Sequence, residues 1–357
     1  MGIFVDQFEG AVARYTHRKF AVACASGTAA LHTALLVAGV GQGDEVIMPT
    51  LTFAAPAFAV RYTGAWPVFI DVEPRHWQLD LQKTEDFLSQ ECKSVRGVLV
   101  NRRTKRHVKA VIPVHLLGHS VDMIPLMKLA KRYGLIVIED VAESIGSQYQ
   151  GRKTGFFGDI ACFSFNGNKI ITCGGGGMLA MDDRHMAQRA RHLTTQAKAD
   201  SVEYTHDAIG YNYRLTNVQA AIGLAQMEKL DEFVEKKRAI AKRYAQGLLR
   251  IEGVALPQEA RGNKSIFWLY TVLIDAKRYC MDSRMLMKKL SMAGIQSRPL
   301  WQPLYLQKVF QGCDAYQITE ADRLYKGALS LPSSLTLTPS QQRRVIELVR
   351  QGGPVAR

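Results

Sequence analysis

Short apolar runs alternate with helical patterns along the first two-thirds of the chain. Six apolar runs occupy residues 20–24, 45–48, 66–70, 97–100, 110–114 and 135–138. Apolar positions at helical spacing follow two of these runs, at residues 29–38 and 124–133. Strands that alternate with helices predict a mostly parallel sheet covered by helices. Near-continuous apolar strands are typical of a sheet that is buried on both faces.

Two later runs break this alternation. Residues 160–165 and 170–181 flank the polar sequence Asn166-Gly167-Asn168-Lys169, and no helical pattern lies between them. We therefore expect these two runs to be antiparallel neighbours joined by a tight polar turn.

The C-terminal third predicts a second, smaller domain. Thr216 and Gln219 match a capping box ahead of a long helical pattern over residues 217–249, which has room for more than one helix. A strand pattern at 267–274, a helix at 282–293 and a short strand at 296–298 follow it. We place the boundary near Val234, which gives a large α/β domain over residues 1–234 and a small α/β domain over residues 235–357.

Composition places the chain among globular proteins. Of its 357 residues, 47% are hydrophobic and 22% are charged, which excludes a disordered or fibrous chain. The formal net charge is +14, and the densest basic run lies at residues 102–109, between two strand patterns. No aromatic residue interrupts this run and no nucleic-acid-binding motif surrounds it. We therefore interpret it as an exposed loop and expect no nucleic-acid partner.

The cysteines and the N-terminus bear on where the protein works. None of the six cysteines forms a Cys-x-x-Cys pair, and several lie in apolar runs. This is typical of reduced, buried thiols without a disulfide framework or a metal site. The chain start lacks the pattern of a signal peptide, and no apolar run approaches the ~18 residues of a membrane span. We therefore expect a cytoplasmic protein with no membrane partner.

Three local features could carry chemistry, each with a structural alternative. Ser26-Gly27-Thr28 lies between a strand and a helix, where backbone N–H groups bind phosphate, and a simple N-cap explains it equally well. Asp140 closes a buried strand, where ligands of open α/β sheets bind, and capping of the next turn is its alternative role. Lys169 is either a Schiff-base lysine in dry surroundings or an exposed lysine at a hairpin tip.

Pyridoxal phosphate needs all three features. Its phosphate suits a helix N-terminus, its ring nitrogen needs a carboxylate that keeps it protonated, and its aldehyde needs an amine. A charge-assisted hydrogen bond from Asp140 to that nitrogen is worth about 1.5–3 kcal/mol. Read together, the three features predict a pyridoxal-phosphate enzyme.

Six motifs then occur in a specific order. They are ASGTAAL at 25–31, PTLTF at 49–53, HLLG at 115–118, IEDVAES at 138–144, FSFNGNK at 163–169 and GYNYRLT at 210–216. Through them the chain resembles the sugar aminotransferases of the DegT/DnrJ/EryC1/StrS family, over about residues 8–345. The resemblance implies the fold-type I aminotransferase architecture, in which a large, mixed, mostly parallel sheet domain carries a small α/β C-terminal domain.

The resemblance also implies roles for individual residues. Lys169 matches the lysine that forms a Schiff base with the cofactor, and Asp140 matches the partner of the pyridine nitrogen. Asn212 matches a residue that reaches the cofactor phosphate of a neighbouring subunit, which implies a homodimer with shared active sites. The other matched cofactor positions are Gly27, Thr28 and Ser164 at the phosphate, Ala29 beside them, Phe53 stacked on the ring and Glu143 on the ring-hydroxyl side. The predicted substrate positions are His115, which matches a site residue of the family, and Arg298 and Trp301, which either touch the substrate or pack.

The resemblance narrows the reaction. Lys169 stands where dehydratases of the family carry histidine, so it implies transamination with glutamate as donor. Residues 164–169 and 297–301 look most like enzymes that aminate C4 of nucleotide-linked 4-keto-6-deoxysugars, first those derived from UDP-N-acetylglucosamine, with GDP-perosamine synthases and C3 ketosugar aminotransferases as alternatives. One departure is that the chain starts at a helix that the family usually reaches after a further N-terminal segment. A catalytically silent cofactor-binding regulatory or scaffold protein is therefore the alternative from another class.

Overall fold

Helices and strands alternate along the computed structural model, which describes residues 2–200 and 202–353. The α-helices are α1 (Ile3–Thr16), α2 (Gly27–Val37), α3 (Ala55–Tyr62), α4 (Leu81–Asp86), α5 (Met123–Tyr133), α6 (Arg184–Thr194), α7 (Asn217–Met227), α8 (Leu230–Leu248), α9 (Ala276–Tyr279), α10 (Ser283–Met292), α11 (Glu320–Gly327) and α12 (Pro339–Arg350). A π-helical turn, Phe87–Glu91, follows α4, and short 3₁₀ turns lie at Leu116–Gly118, Leu304–Leu306 and Lys308–Phe310.

The strands fall into one large sheet and two small ones. They are β1 (Phe20–Cys24), β2 (Asp44–Pro49), β3 (Trp66–Ile70), β4 (Cys92–Val95), β5 (Val98–Asn101), β6 (His107–Val111), β7 (Ile136–Asp140), β8 (Gln148–Tyr149), β9 (Arg152–Lys153), β10 (Ile160–Ser164), β11 (Gly177–Met181), β12 (Val254–Ala255), β13 (Asn263–Lys264), β14 (Tyr270–Ile274), β15 (Arg298–Pro299), β16 (Asp314–Tyr316) and β17 (Ala328–Leu331). Each of the six apolar runs that predicted strands contains or overlaps one.

The large sheet is mixed and mostly parallel, as predicted. Its order is β1-β11-β10-β7-β6-β2-β3-β16, and the β4–β5 hairpin joins it through β6. The strands from β10 to β16 pair in parallel, and β11 is antiparallel to both of its neighbours. Helices cover both faces because alternate residues of a strand point in opposite directions. In β1, Val22 packs in the cluster that contains α2, whereas Ala23 packs in the cluster that contains α1.

The connection between β10 and β11 differs from the prediction. The two strands are antiparallel neighbours, as expected, with Ile160 opposite Met181 and Ser164 opposite Gly177. The predicted tight turn is wrong, because β11 begins at Gly177 and residues 165–176 form a long loop. Gly174 and Gly176 have φ of 79° and 112°, which interrupts an extended chain. Lys169 lies in this loop.

The helical pattern over residues 217–249 divides into α7 and α8, and the predicted capping box of Thr216 and Gln219 is present at the start of α7. Leu230 and Val234 at the start of α8 pack in a core of the large sheet. The later residues Ile240 and Tyr244 pack under the four-stranded antiparallel sheet β12-β14-β17-β15. Since α8 runs through both cores, the domain boundary near Val234 stays a prediction.

The basic run lies partly in a loop and partly in a strand. Residues 102–106 connect β5 to β6, and the rest of the run belongs to β6. Arg103 forms an ion pair with Asp314, and the guanidinium of Arg106 lies 4.0 Å from the ring centroid of Trp66. Arg61 contacts the same ring at 3.8 Å. These contacts hold Arg103 and Arg106 of the basic run against the protein's own surface.

The cysteine prediction is correct for four of the six residues. Cys24, Cys92, Cys162 and Cys173 are buried, Cys313 is partly buried and Cys280 is exposed. Cys280 ends α9 with a φ of 62°, a left-handed position at a helix end that leaves the side chain outside the core. Among residues 2–200 and 202–353, none of the helices has both the length and the apolar composition needed to cross a membrane.

Candidate cofactor site

A cavity of about 250 Å³ lies where several parallel strands end. In open α/β sheets this edge binds ligands because loops from neighbouring strands converge there. The cavity brings together most of the residues that the sequence singled out. They are Gly27, Thr28, Phe53, Asp140, Glu143, Ser164, Lys169 and Trp301.

Lys169 reaches this cavity from the β10–β11 loop. Its backbone N–H donates to the Asn166 carbonyl at 3.0 Å, which closes a turn. Its ammonium lies 4.2 Å from the ring centroid of Trp268, and the side chain is partly buried. Lys169 is therefore a cavity-lining lysine and does not stand at the tip of a hairpin.

Asp140 ends β7 and is 4% exposed. Its Oδ1 accepts the Ala142 backbone N–H at 3.0 Å, so the carboxyl caps the following turn as the alternative reading proposed. Burial raises the pKa of Asp140, while the Ala142 N–H and the charge of Lys169 oppose that rise. A poorly solvated carboxylate gains strongly from a cation placed beside it.

Glu143 is a second buried carboxyl group in the cavity. It accepts the Leu117 backbone N–H at 2.7 Å, and Leu117 has the unusual left-handed φ of 58°. Burial raises the pKa of Glu143 from its ordinary value of 4.5 to about 7, although Lys169 and the Leu117 N–H act in the opposite direction. Glu143 can therefore hold or release a proton near neutral pH.

His115 lies behind the cavity and is fully buried. Its Nδ1 accepts the Val121 backbone N–H at 3.1 Å, so its proton is on Nε2, which donates to Glu139 at 3.0 Å. Glu139 also accepts backbone N–H groups of residues 155, 157 and 158. Although burial alone raises the pKa of Glu139, His115 and these donors hold it below its ordinary value. Both ring nitrogens of His115 are thus used inside the protein, away from the cavity.

The turn before α2 provides the N-cap of the helix and brings Gly27 close to strand β10. The Ser26 hydroxyl oxygen accepts the Ala29 N–H at 3.1 Å, so the N-cap is present and the Ala29 N–H is already occupied. Gly27 lies so near β10 that a Cβ there would stand 2.7 Å from Cβ of Ser164. Thr28 and Ser164 line the cavity beside this helix N-terminus. A phosphate would find backbone N–H groups and two hydroxyl groups there.

The other predicted residues lie at the margin of this cavity or outside it. Phe53 is 57% exposed at the rim. Asn212 is exposed and pairs with Thr195 away from the cavity. Arg298 is exposed on β15 and lines an adjacent cavity of about 410 Å³, together with Lys169 and Trp268.

The sequence analysis missed Trp268. It lies within the predicted strand at 267–274, where an aromatic residue indicates only a packed core. In the structure its indole N–H donates to the Asn168 carbonyl at 3.0 Å, across 100 residues of sequence. A large aromatic residue with a polar edge near the start of a strand is the one available signal, and it does not identify the partner.

The residues present fit pyridoxal phosphate. Asp140 is a buried carboxylate whose charge no hydrogen-bonded cation neutralises within the described chain, and the amine of Lys169 shares its cavity. The close contact between Gly27 and Ser164 gives a cradle that an added Cβ would fill. These groups match the ring nitrogen, the aldehyde and the phosphate of the cofactor.

Comparison with known proteins gives consistent matches. The model of the DegT/DnrJ/EryC1/StrS aminotransferase family matches residues 1–350. GDP-perosamine synthase of Caulobacter vibrioides is 40% identical over 352 residues, which are 98% of this chain and 90% of the relative. UDP-N-acetyl-3-dehydro-alpha-D-glucosamine 3-aminotransferase of Acidithiobacillus ferrooxidans is 36% identical over 332 residues, 92% of this chain and 83% of the relative.

Solved structures agree with these matches. The crystal structure of S. venezuelae DesV in complex with a ketimine intermediate superposes with a TM-score of 0.87 at 32% identity, covering 100% of this chain and 91% of DesV. The resemblance inferred from the six motifs, the fold class and the cofactor are thereby confirmed. Because the family model and these relatives cover nearly the whole chain, it belongs to the DegT/DnrJ/EryC1/StrS aminotransferase family and is a pyridoxal-phosphate-dependent sugar aminotransferase.

Proposed function

We propose that the protein transfers an amino group from glutamate to C4 of a nucleotide-linked 4-keto-6-deoxysugar. The observation that carries this proposal is the position of the Lys169 amine in one cavity with the buried carboxyl groups of Asp140 and Glu143. Aminotransferases need a movable amine beside a carboxylate that can hold a pyridinium proton.

Each residue then has a task. The cofactor, when bound, supplies an electron sink for the pair of electrons left at the reacting carbon. Asp140 holds the proton on the ring nitrogen, and the N-terminus of α2 with Thr28 and Ser164 binds the phosphate. In the first half-reaction the Lys169 Nζ would move a proton from Cα of glutamate to the carbon that carried the cofactor aldehyde, and in the second it would move a proton from that carbon to C4 of the sugar.

Replacing Lys169 tests this role. Lys169→Ala should abolish turnover and the visible absorbance of the lysine-bound cofactor, because no other amine in the described cavity lining can take its place. Lys264→Ala is a matched control, since Lys264 forms an exposed ion pair with Glu235. Full activity in the Lys169→Ala variant would end the proposal.

The proposal also specifies the nucleotide that is linked to the sugar substrate. The stretches at 164–169 and 297–301 favour a UDP-linked sugar, whereas 40% identity to a GDP-perosamine synthase favours a GDP-linked one. We place the GDP-linked 4-keto-6-deoxysugar first and keep the UDP-linked sugar as second candidate. A relative named as a UDP-sugar 3-aminotransferase keeps C3 amination as a further outcome.

One labelling experiment separates these substrates. The enzyme is offered GDP- and UDP-linked 4-keto-6-deoxysugars and a UDP-linked 3-ketosugar, each with ¹⁵N-glutamate. Label at C4 of the GDP-sugar supports the first candidate, and label in either UDP-sugar selects an alternative. If none gains ¹⁵N while the yellow protein fails to bleach with glutamate, the protein is the silent cofactor binder.

We also propose that the enzyme is a cytoplasmic homodimer with shared sites. Asn212 is exposed and outside its own cavity, and the nearby residues Ile209 and Val218 are 86% and 74% exposed. Large apolar side chains that are this exposed, close in sequence to Asn212, support a subunit contact at this segment. Mixing inactive Lys169→Ala and Asn212→Ala subunits should restore about one quarter of wild-type activity, because half of the dimers are mixed and each mixed dimer has one intact site. No recovery would refute shared sites.

A further inference from the structure

The amine of Lys169 has a defined place when it is not bonded to a cofactor. It lies over the face of Trp268, with Nζ 4.2 Å from the ring centroid. This is within the distance at which an ammonium is attracted by an aromatic face. Trp268 is only 6% exposed, so this contact is partly shielded from water, where such attraction is stronger.

Trp268 is held from two sides. Its indole N–H donates to the carbonyl of Asn168, the residue before Lys169. Its own carbonyl accepts a hydrogen bond from Lys237 at 2.5 Å. Trp268 is thus tied through its indole to the loop that carries Lys169 and through its backbone carbonyl to helix α8.

Lys237, which holds the Trp268 carbonyl, is an unusually buried lysine. It is 6% exposed, and its ammonium donates to the carbonyls of Trp268 and Ser333, both at 2.5 Å. No carboxylate is among its hydrogen-bond partners in the described chain. Burial lowers the pKa of Lys237 to about 7. Burying a cation without a carboxylate partner is costly, and the two hydrogen bonds that hold these carbonyls offset part of that cost.

The two buried carboxyl groups compete for the same amine. The charge of Lys169 favours the ionised form of both Asp140 and Glu143. An ion pair between a freed Lys169 and Asp140 would neutralise the carboxylate that the cofactor nitrogen requires. The face of Trp268 is an uncharged partner for the ammonium. An ammonium that rests there leaves the Asp140 carboxylate free to pair with the cofactor nitrogen.

We propose that Trp268 is the resting site for the Lys169 ammonium whenever the lysine is free, and that Lys237 positions Trp268 for this role. The proposal rests on the proposed role of Lys169 as the cofactor-binding lysine. Trp268 touches the reacting amine, whereas Lys237 acts only through the backbone of Trp268.

The first test is made on the apoenzyme. Lysines are reductively methylated with ¹³C, and the Lys169 methyl signal is assigned by its loss in Lys169→Ala. Ring current from Trp268 should shift this signal upfield of those from exposed lysines such as Lys277. The shift should disappear in Trp268→Leu and remain in part in Trp268→Phe. An unshifted Lys169 signal in the wild type would overturn the proposal.

Two variants of Lys237 separate its positioning role from an effect on general stability. Lys237→Met should reduce the upfield shift, and Lys237→Arg should preserve it because the guanidinium can still donate to carbonyls. An unchanged shift in Lys237→Met would remove Lys237 from the proposal. Equal unfolding midpoints for the two variants show that loss of the shift is not loss of the fold.

Reconstitution with pyridoxal phosphate gives the functional readout. In Trp268→Leu the cofactor should become attached to Lys169 about fivefold faster than in the wild type, because the resting ammonium loses about 1 kcal/mol of cation–π stabilisation that must be given up before the neutral amine can react. Unaltered kinetics would argue against a resting site. If wild-type apoenzyme does not bond the cofactor at all, the proposed function fails, whereas bonding without an upfield-shifted Lys169 signal contradicts only the resting site.

Discussion

Replacing Gly27 by alanine tests the close approach between α2 and β10. Gly27 begins α2 without a positive φ, so alanine is conformationally acceptable there. The new Cβ would lie 2.7 Å from Cβ and 3.0 Å from Oγ of Ser164. Two opposing effects therefore act on the same methyl group.

Their magnitudes decide the sign. Alanine is favoured over glycine inside a helix by at most about 1 kcal/mol. Overpacking a buried site costs about 1–3 kcal/mol. Gly27→Ala should therefore lower the free energy of unfolding of the apoenzyme by up to about 2 kcal/mol. In a Ser164→Gly background the nearest remaining Ser164-position atom is Cα at 3.3 Å, and the same change should be neutral or stabilising.

A double-mutant cycle in urea measures this. We expect a coupling of about 1–3 kcal/mol between positions 27 and 164, in the range found for residues in contact. Gly27→Ala should also raise the dissociation constant for pyridoxal phosphate, because the helix N-terminus and Ser164 are pushed apart. If Gly27→Ala destabilises both backgrounds equally, the steric argument is wrong.

Three further predictions follow from the buried carboxyl groups. Burial raises the pKa of Glu143 to about 7, so its carboxyl group ionises at a lower pH in the unfolded chain than in the folded one. The free energy of unfolding should therefore fall as pH rises from about 4.5 to 7, and Glu143→Gln should flatten that part of a pH series of urea midpoints. Asp71 accepts hydrogen bonds from the Lys83 ammonium at 2.7 Å and from the Glu320 N–H at 2.8 Å, and these donors hold its pKa below 3.8 although burial alone raises it. The stability that ionised Asp71 contributes is therefore present above pH 4 and lost on acidification. Asp71→Asn should lower the free energy of unfolding by about 2–4 kcal/mol at pH 7 and weaken its dependence on acid pH. Asp140→Asn should keep the wild-type circular dichroism and lose most of the turnover, since the ring nitrogen loses its anion; turnover near the wild-type level would contradict its role.

Local periodicity by itself determined most strands of the large sheet and the helices that follow two of them. The strand at 66–70 and the helix at 124–133 were predictable because burial on one or both faces imposes a regular pattern on neighbouring residues. The order of Gly27, Asp140 and Lys169 was also sufficient to identify the cofactor, because each residue lies at or just after the end of a strand at one edge of the sheet.

Only the tertiary structure decided what surrounds these residues. Trp268 meets Asn168 across 100 residues, and Lys237 meets the Trp268 carbonyl from another helix. His115 is turned away from the cavity by two hydrogen bonds to residues that no spacing rule connects with it. Sequence patterns report whether a side chain is buried, but its partner depends on how separate elements pack, which is set by the whole core.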